Sequence, residues 1–280
     1  MASTGLTPAV RTDLARVTES LSMLTPRWNV QLLLVLSDKP LRYTEIKQRM
    51  PWLADGQLHP KLRQLTDTGL AVRTELGFRH VTYGLTSRGT DLIPVLTVIA
   101  SWADAHLEKD PDTAPETATE AFRRARDVDD TLVLIATRHA TPILWTLKAR
   151  GTATATTVAS EAMPGYGLSS VYPKLRQLVD DGLVDVTDGT SYRLSVSGRA
   201  LAPVYGALST WAVGRPLAEA AAHPLWGRPP APSQQTGTWA STQTRLPAPA
   251  IPTAWRASEL FSHQPPARAL AGAPAGGPRR

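Results

Sequence analysis

Cysteine is absent from the 280 residues. No disulfide can staple this fold, no thiolate can bind zinc or attack a substrate, and no thiol can sense redox state. No run of eighteen apolar residues occurs, so no membrane span is expected. The opening stretch, MASTGLTPAVRTDLARV, lacks a charged segment followed by an apolar one. It does not read as a signal peptide, and the cytoplasm is the expected compartment. The chain has no G-x-S-x-G elbow, no GxxxxGK[ST] or GxGxxG phosphate loop, and no HxxxH or HExxH spacing. His59, His80, His106 and His139 are scattered. The expectation is a protein that is not an enzyme and holds neither metal nor cofactor.

Positive charge is present, but its location matters. The net charge of +6 divides into +2 over residues 1–110, −1 over 111–221 and +5 over 222–280. The excess sits at the end of the chain, so the high isoelectric point says little about what the folded part binds.

An internal repeat organises the rest. HPKLRQLTDTGL at 59–70 matches YPKLRQLVDDGL at 172–183, an offset of 113. LTSRGTDLIPVLTVIASWA at 85–103 matches LSVSGRALAPVYGALSTWA at 194–212, an offset of 109. Upstream, Leu14, Val17, Leu21 and Leu24 align with Ala125, Val128, Leu132 and Ile135 at an offset of 111. One unit of roughly 100 residues therefore occurs twice, with small length differences in its loops. Residues 222–280 hold 11 of the 24 prolines and one acidic residue. Such a stretch cannot bury enough apolar surface to offset chain entropy, and disorder is expected there. The domains predicted are 1–108 and 119–221, joined by a linker at 109–118.

Within the first unit, Val10, Leu14, Val17, Leu21 and Leu24 recur at helical spacing. Pro26 opens a second helix carrying Trp28 and the run from Val30 to Leu36. Thr44 is the expected N-cap of a short helix through Met50, ended by Pro51. A further helix puts Leu58, Leu62 and Leu65 inward and stops at Gly69, a residue suited to the C′ position. The two helices and their short connection form a helix-turn-helix. Ala71–Leu76 and Val81–Thr86 read as a two-stranded hairpin, or wing. Leu92, Val95, Leu96, Ile99, Trp102 and Leu107 make a terminal amphipathic helix. The predicted fold class is mainly α with small β-hairpin wings: two winged helix-turn-helix domains in tandem plus a disordered C-terminal tail.

This order resembles the HxlR branch of the winged-helix superfamily. The residues that carry the likeness are Arg27-Trp28, Leu41-Arg42-Tyr43-Thr44-Glu45-Ile46, Leu62-Arg63-Gln64-Leu65 with Asp67 and Gly69-Leu70. Tyr83, Leu85-Thr86, Gly89, Leu92, Pro94-Val95-Leu96 and Trp102-Ala103 follow. The likeness covers about residues 10–107 and recurs more weakly over 121–217, where His139 and Ala140 stand in place of Trp28 and its neighbour. There Tyr172-Pro173-Lys174-Leu175-Arg176-Gln177-Leu178 also resembles the PadR branch. The resemblance implies a dimeric protein that binds double-stranded DNA and regulates transcription, as a repressor.

A reading helix buries one stripe and turns the other to the major groove. The candidate DNA-binding residues in the first unit are Gln57, His59, Lys61, Arg63 and Gln64, with Arg73, Arg79 and His80 on the wing. In the second they are Ser169, Ser170, Tyr172, Lys174, Arg176 and Gln177, with Ser169 as a candidate cap. Glutamine can pair with adenine, while Lys and Arg read guanine or grip phosphate. Pro60 and Pro173 are placed in the first turn, where a missing N–H costs little. The second wing, around Asp185, Asp188 and Gly189, carries carboxylates that repel phosphate, so the first unit is the stronger expected binder. The two copies are expected to pair within one chain or across a homodimer. Two rivals stand beside this: a protein-interaction module, and a regulator answering a small-molecule effector bound near Trp28, Trp102 or Trp145.

Overall fold

The computed structural model describes residues 6–75, 77, 81–108 and 120–227. The expected linker at 109–118, and the tail from 228 onward, lie outside the described residues. The first set of elements runs α1 (Pro8–Leu24), α2 (Asn29–Val35), β1 (Leu41–Arg42), α3 (Tyr43–Arg49), α4 (Asp55–Asp67), β2 (Ala71–Glu75), β3 (Val81–Leu85) and α5 (Ser87–His106). The second runs α6 (Glu120–Ala136), α7 (Ala140–Arg150), β4 (Thr152–Thr154), α8 (Ala155–Ala162), α9 (Leu168–Asp180), β5 (Val184–Thr187), β6 (Ser191–Leu194), α10 (Val196–Ala200) and α11 (Ala202–Ala212). The order repeats, except that the terminal helix of the second set is divided at Leu201.

Each half holds an antiparallel three-stranded sheet, β1-β3-β2 and β4-β6-β5. The expected hairpin is present, Ala71–Glu75 pairing with Val81–Leu85, and a short strand not foreseen extends each sheet: Leu41 pairs with Tyr83 and Thr152 with Arg193. Strands of two and three residues are too short to show alternation in a sequence.

The same local physics shapes both halves. Val17, Ser20, Leu21 and Leu24 are buried on α1, and Val128, Thr131, Leu132 and Ile135 occupy the matching positions on α6. Trp28 precedes α2 with φ of 78°, and His139 precedes α7 with φ of 72°. The second helix therefore starts at Asn29, one residue beyond Trp28, and not at Pro26. A left-handed non-glycine residue is uncommon, so finding it at both equivalent sites shows that the exchange of Trp for His left the backbone unchanged.

Gly69 and Gly182 end α4 and α9 with φ of 70° and 69°. In each case the next leucine donates back into the helix, Leu70 N–H to Leu65 O at 3.0 Å and Leu183 N–H to Leu178 O at 2.9 Å, the signature of a Schellman stop. Thr86 and Ser195 then tie the sheet to the last helix. Their hydroxyls donate to Gly69 O at 2.7 Å and Gly182 O at 2.6 Å, and accept from the N–H of Gly89 and Gly198. Neither glycine has room for a side chain: a Cβ would lie 2.1 Å from Leu70 O or Leu183 O.

Helix α3 begins at Tyr43, two residues earlier than a Thr44 cap would allow. Glu45, its third residue, accepts from the Arg42 backbone N–H at 2.6 Å and closes a capping box.

The halves share a core. Helix α1 packs on α6 and α11, α5 packs on α6 and α11, and α2 packs on α6. Trp102 Nε1–H donates to Ser197 O at 3.2 Å, and Trp211 Nε1–H donates to Arg88 O at 3.0 Å. Asp13 on α1 accepts from the Ser209 hydroxyl of α11 at 2.6 Å and pairs with His223 Nε2 at 2.6 Å.

Residues 222–227, expected in the disordered tail, pack instead. A 3-10 turn, Leu217–Ala222, leads to Trp226, which is buried beside Trp145 and Tyr205. One large aromatic offsets the ordering of a short polar segment. No helix among the described residues is long and apolar enough to cross a membrane.

Candidate nucleic-acid interface

Helix α4 is anchored by Leu58, Leu62 and Leu65, each fully buried. Its start is held from α3: the Tyr43 hydroxyl donates to Asp55 Oδ1 at 2.9 Å, and Lys47 Nζ lies 3.8 Å from the same carboxylate. Burial and then the Asp55 carboxylate raise the Tyr43 hydroxyl above the usual phenol range, so it stays a donor. Asp55 also suits the positive end of the helix.

On the far side Gln57, His59, Pro60 and Arg63 are exposed, while Lys61 and Gln64 are half-buried. Lys61 Nζ donates to Gln64 Oε1 at 3.3 Å. Gln64 is thus not fully outward as expected; it lies at the margin of the face, where the lysine can reach it. Arg63 lies 3.7 Å from Asp67, both exposed.

Helix α9 repeats this arrangement with Val171, Leu175 and Leu178 buried. Ser169, Ser170, Tyr172, Pro173 and Arg176 are exposed, and Lys174 and Gln177 are half-buried. Lys174 Nζ donates to Gln177 Oε1, again at 3.3 Å.

Two expectations about helix starts need correction. Ser169 does not cap α9: the N-cap is Gly167 and Ser169 lies inside the helix. Pro60 and Pro173 are interior to their helices, in the second turn, because α4 and α9 begin at Asp55 and Leu168. Both prolines are exposed, so the carbonyl each leaves without a helical donor can turn to water.

Arg73 is exposed on β2, where Glu75 on the same strand pairs with it. Arg79 and His80 lie outside the described residues. In the other sheet Asp188 and Gly189 have φ of 52° and 69°, the paired positive angles that an Asp-Gly turn supplies. Arg193 Nε lies 3.5 Å from Asp185 across the strands, so one of the two wing carboxylates is already matched.

A neighbouring cluster escaped sequence reading. Arg138 Nη2 donates to the Tyr166 hydroxyl at 2.6 Å, and the His139 ring stands 4.8 Å from that of Tyr166. Burial, then the charges of Arg138 and Lys174, lower the His139 pKa, so this imidazole stays neutral at neutral pH. Arg27 holds the equivalent place in the first half, 4.5 Å above the Trp28 ring. The 111-residue offset that pairs the first helices also pairs these arginines, and was the available signal. Among the described residues no cluster of His, Asp and Glu could hold a metal.

These elements define a helix-turn-helix protein with a sheet following the second helix of the motif. Residues 23–111 match the HxlR-like helix-turn-helix family. The chain is 32% identical over 89 residues to the "Uncharacterized HTH-type transcriptional regulator YdzF" of Bacillus subtilis, covering 82% of that protein and 31% of this one. It is 32% identical over 95 residues to the "HTH-type transcriptional regulator YodB" of the same organism, covering 85% of it and 33% of this chain. A Methanothermobacter thermautotrophicus "Uncharacterized HTH-type transcriptional regulator" is 34% identical over 95 residues, which cover 72% of it and 32% of this chain. No solved structure gives a significant match. The chain belongs to the HxlR-like helix-turn-helix family, and so to the DNA-binding regulators of transcription.

Proposed function

We propose that this chain is a sequence-specific repressor that reads two half-sites of double-stranded DNA as a single polypeptide. Residues 1–108 and 119–221 are then two winged helix-turn-helix domains. Helices α4 and α9 enter successive major grooves, with Gln57, His59, Lys61, Arg63 and Gln64 in one and Ser169, Ser170, Tyr172, Lys174, Arg176 and Gln177 in the other. Arg73, Arg79 and His80 lie along the backbone beside the first groove.

The observation that carries this reading is the reciprocity of the contacts between halves. The bond from Trp102 to Ser197 and that from Trp211 to Arg88 join equivalent positions in opposite directions, as a two-fold interface does. Two reading helices related in this way suit half-sites about one helical turn apart. The second half occupies, within the chain, the place that a partner subunit takes in a dimer.

A second reading gives α6–α11 a protein partner. Asp180, Asp181 and Asp188 favour it, since carboxylates near a reading helix repel phosphate. Selection from a random duplex library with the full chain separates the two. Two unlike half-sites are expected. A recovered pool indistinguishable from the starting library contradicts sequence-specific reading, and one enriched half-site alone assigns the second half to the partner.

A further inference from the structure

The two reading helices share a grip and differ in what they show the bases. Pro60, Lys61, Arg63, Gln64 and Asp67 recur as Pro173, Lys174, Arg176, Gln177 and Asp180, and the lysine-to-glutamine bond recurs at the same length. Whatever these residues contact is therefore duplicated. Ahead of them, the four outward positions Asp55, Gly56, Gln57 and His59 become Leu168, Ser169, Ser170 and Tyr172. A carboxylate and an imidazole give way to an isobutyl group and a phenol, and the Gln57 amide gives way to the Ser170 hydroxyl.

Leu168 is 40% exposed and Tyr172 is 51% exposed, although each carries a large apolar surface. Four residues apart, they lie on one face, one turn above the other. Cations surround this end of the helix: Lys174 and Arg176 follow on α9, and Arg138 sits beside Tyr166 at its entry. The helix N-terminus adds its own partial positive charge. Asp180 is eight residues beyond Tyr172, about 12 Å along the axis, and lines the same groove as Tyr172 and Arg176. An apolar pair with Lys174 and Arg176 following on the same helix suits an anionic partner with apolar points on it. In a major groove the one apolar feature of a base edge is the C5-methyl of thymine. Ser169 and Ser170 can bond to donors or acceptors alike, so they discriminate little.

We infer that the second half selects its half-site through thymine methyl groups, with Leu168 and Tyr172 as the contacts, while the first half reads hydrogen-bonding edges through Gln57. The operator is then asymmetric in chemistry as well as in sequence: thymine-dependent on one side and methyl-independent on the other. This inference rests on the DNA-binding reading above.

The test uses the full chain and a duplex recovered by selection from a random library. Thymines are replaced by deoxyuridine, which pairs identically and lacks only the methyl, in one half-site at a time. Fluorescence anisotropy should show affinity falling about fourfold for each methyl lost in the second half-site, the scale set by burying one such group. Uracil in the first half-site should change affinity by less than about twofold on the same scale. In Leu168→Ala and Tyr172→Ala, both exposed positions that leave the core intact, the thymine and uracil duplexes should bind alike. Indifference to uracil in the second half-site, or a thymine preference that survives both substitutions, overturns the inference and leaves DNA reading standing. A library that yields no enriched sequence removes the DNA-binding reading and this inference together.

Discussion

Trp102 and Trp211, 109 residues apart at matching positions, each donate an indole N–H to the opposite half, Trp102 to Ser197 in α10 and Trp211 to Arg88 at the start of α5. Trp211 also lies beneath the Arg88 guanidinium at 4.9 Å. The halves therefore hold each other through the same element that each uses to complete its own core. Burial of Trp102 and Trp211 is nearly total, with 5% and 4% of their surfaces exposed.

Cooperativity should follow from that exchange. The chain is expected to unfold in one calorimetric transition. Trp102→Ala or Trp211→Ala should each cost about 3–5 kcal/mol, and the double variant should divide the transition in two. Separate transitions in the unaltered chain would show that the halves are independent.

Gly89 and Gly198 should be equally intolerant of a methyl group. Each lies under a backbone oxygen that a Cβ would approach to 2.1 Å, and backbone cannot step aside as a flexible side chain can. Gly89→Ala and Gly198→Ala should each destabilise by about 3 kcal/mol or more in urea titrations. Tolerance of either one would separate the two halves structurally.

Asp129 should make stability depend on pH. Burial pushes its carboxyl up to about 7, with Asp130 adding and Arg27 opposing. From the ordinary value of 3.8 up to about 7 the folded chain keeps a proton that the unfolded chain has lost. Stability therefore falls as pH rises through that window and levels off above it. Asp129→Asn should be more stable than the parent at pH 8 by about 2–4 kcal/mol, with the difference shrinking toward pH 4. Denaturation across that range checks it; parallel curves for the two proteins would contradict it.

Lys61→Ala and Lys174→Ala should each lower the slope of log affinity against log salt by about one, because the two lysines occupy equivalent positions. Arg193→Ala should leave DNA affinity within about twofold, since that guanidinium is already matched by Asp185. The paired loss of Lys61 and Arg79 is expected to exceed that of Lys174 and Arg193. Band-shift titration reads all of these, and equal losses for both pairs would remove the ranking of the halves.

Much of this arrangement was legible in the amino-acid order. Leu58, Leu62 and Leu65 announced the inward side of α4 by spacing alone, and repetition as Val171, Leu175 and Leu178 announced α9. Glycine at 69 and 182 announced the helix stops. What escaped had physical reasons. Strands of two or three residues carry no period, so β1 and β4 stayed hidden. A cap made by a Glu45 side chain reaching backward is invisible to a search for a hydroxyl ahead of the helix, and Thr44 drew the attention instead. The first-turn placement of Pro60 and Pro173 failed because Asp55 and Leu168 already belong to their helices. Trp226 sits in a proline-rich stretch whose composition masks a side chain able to pack. Leu168 lies ahead of the Ser169 cap expected there, so it had no place on α9, of which it is the first residue.

In the function proposed above, one chain supplies both reading helices. Light scattering of the full chain mixed with a selected bipartite duplex weighs the complex directly. One chain per duplex, with both half-sites protected from cleavage, is the predicted result; two chains on that duplex, each protecting a single half-site, would contradict it.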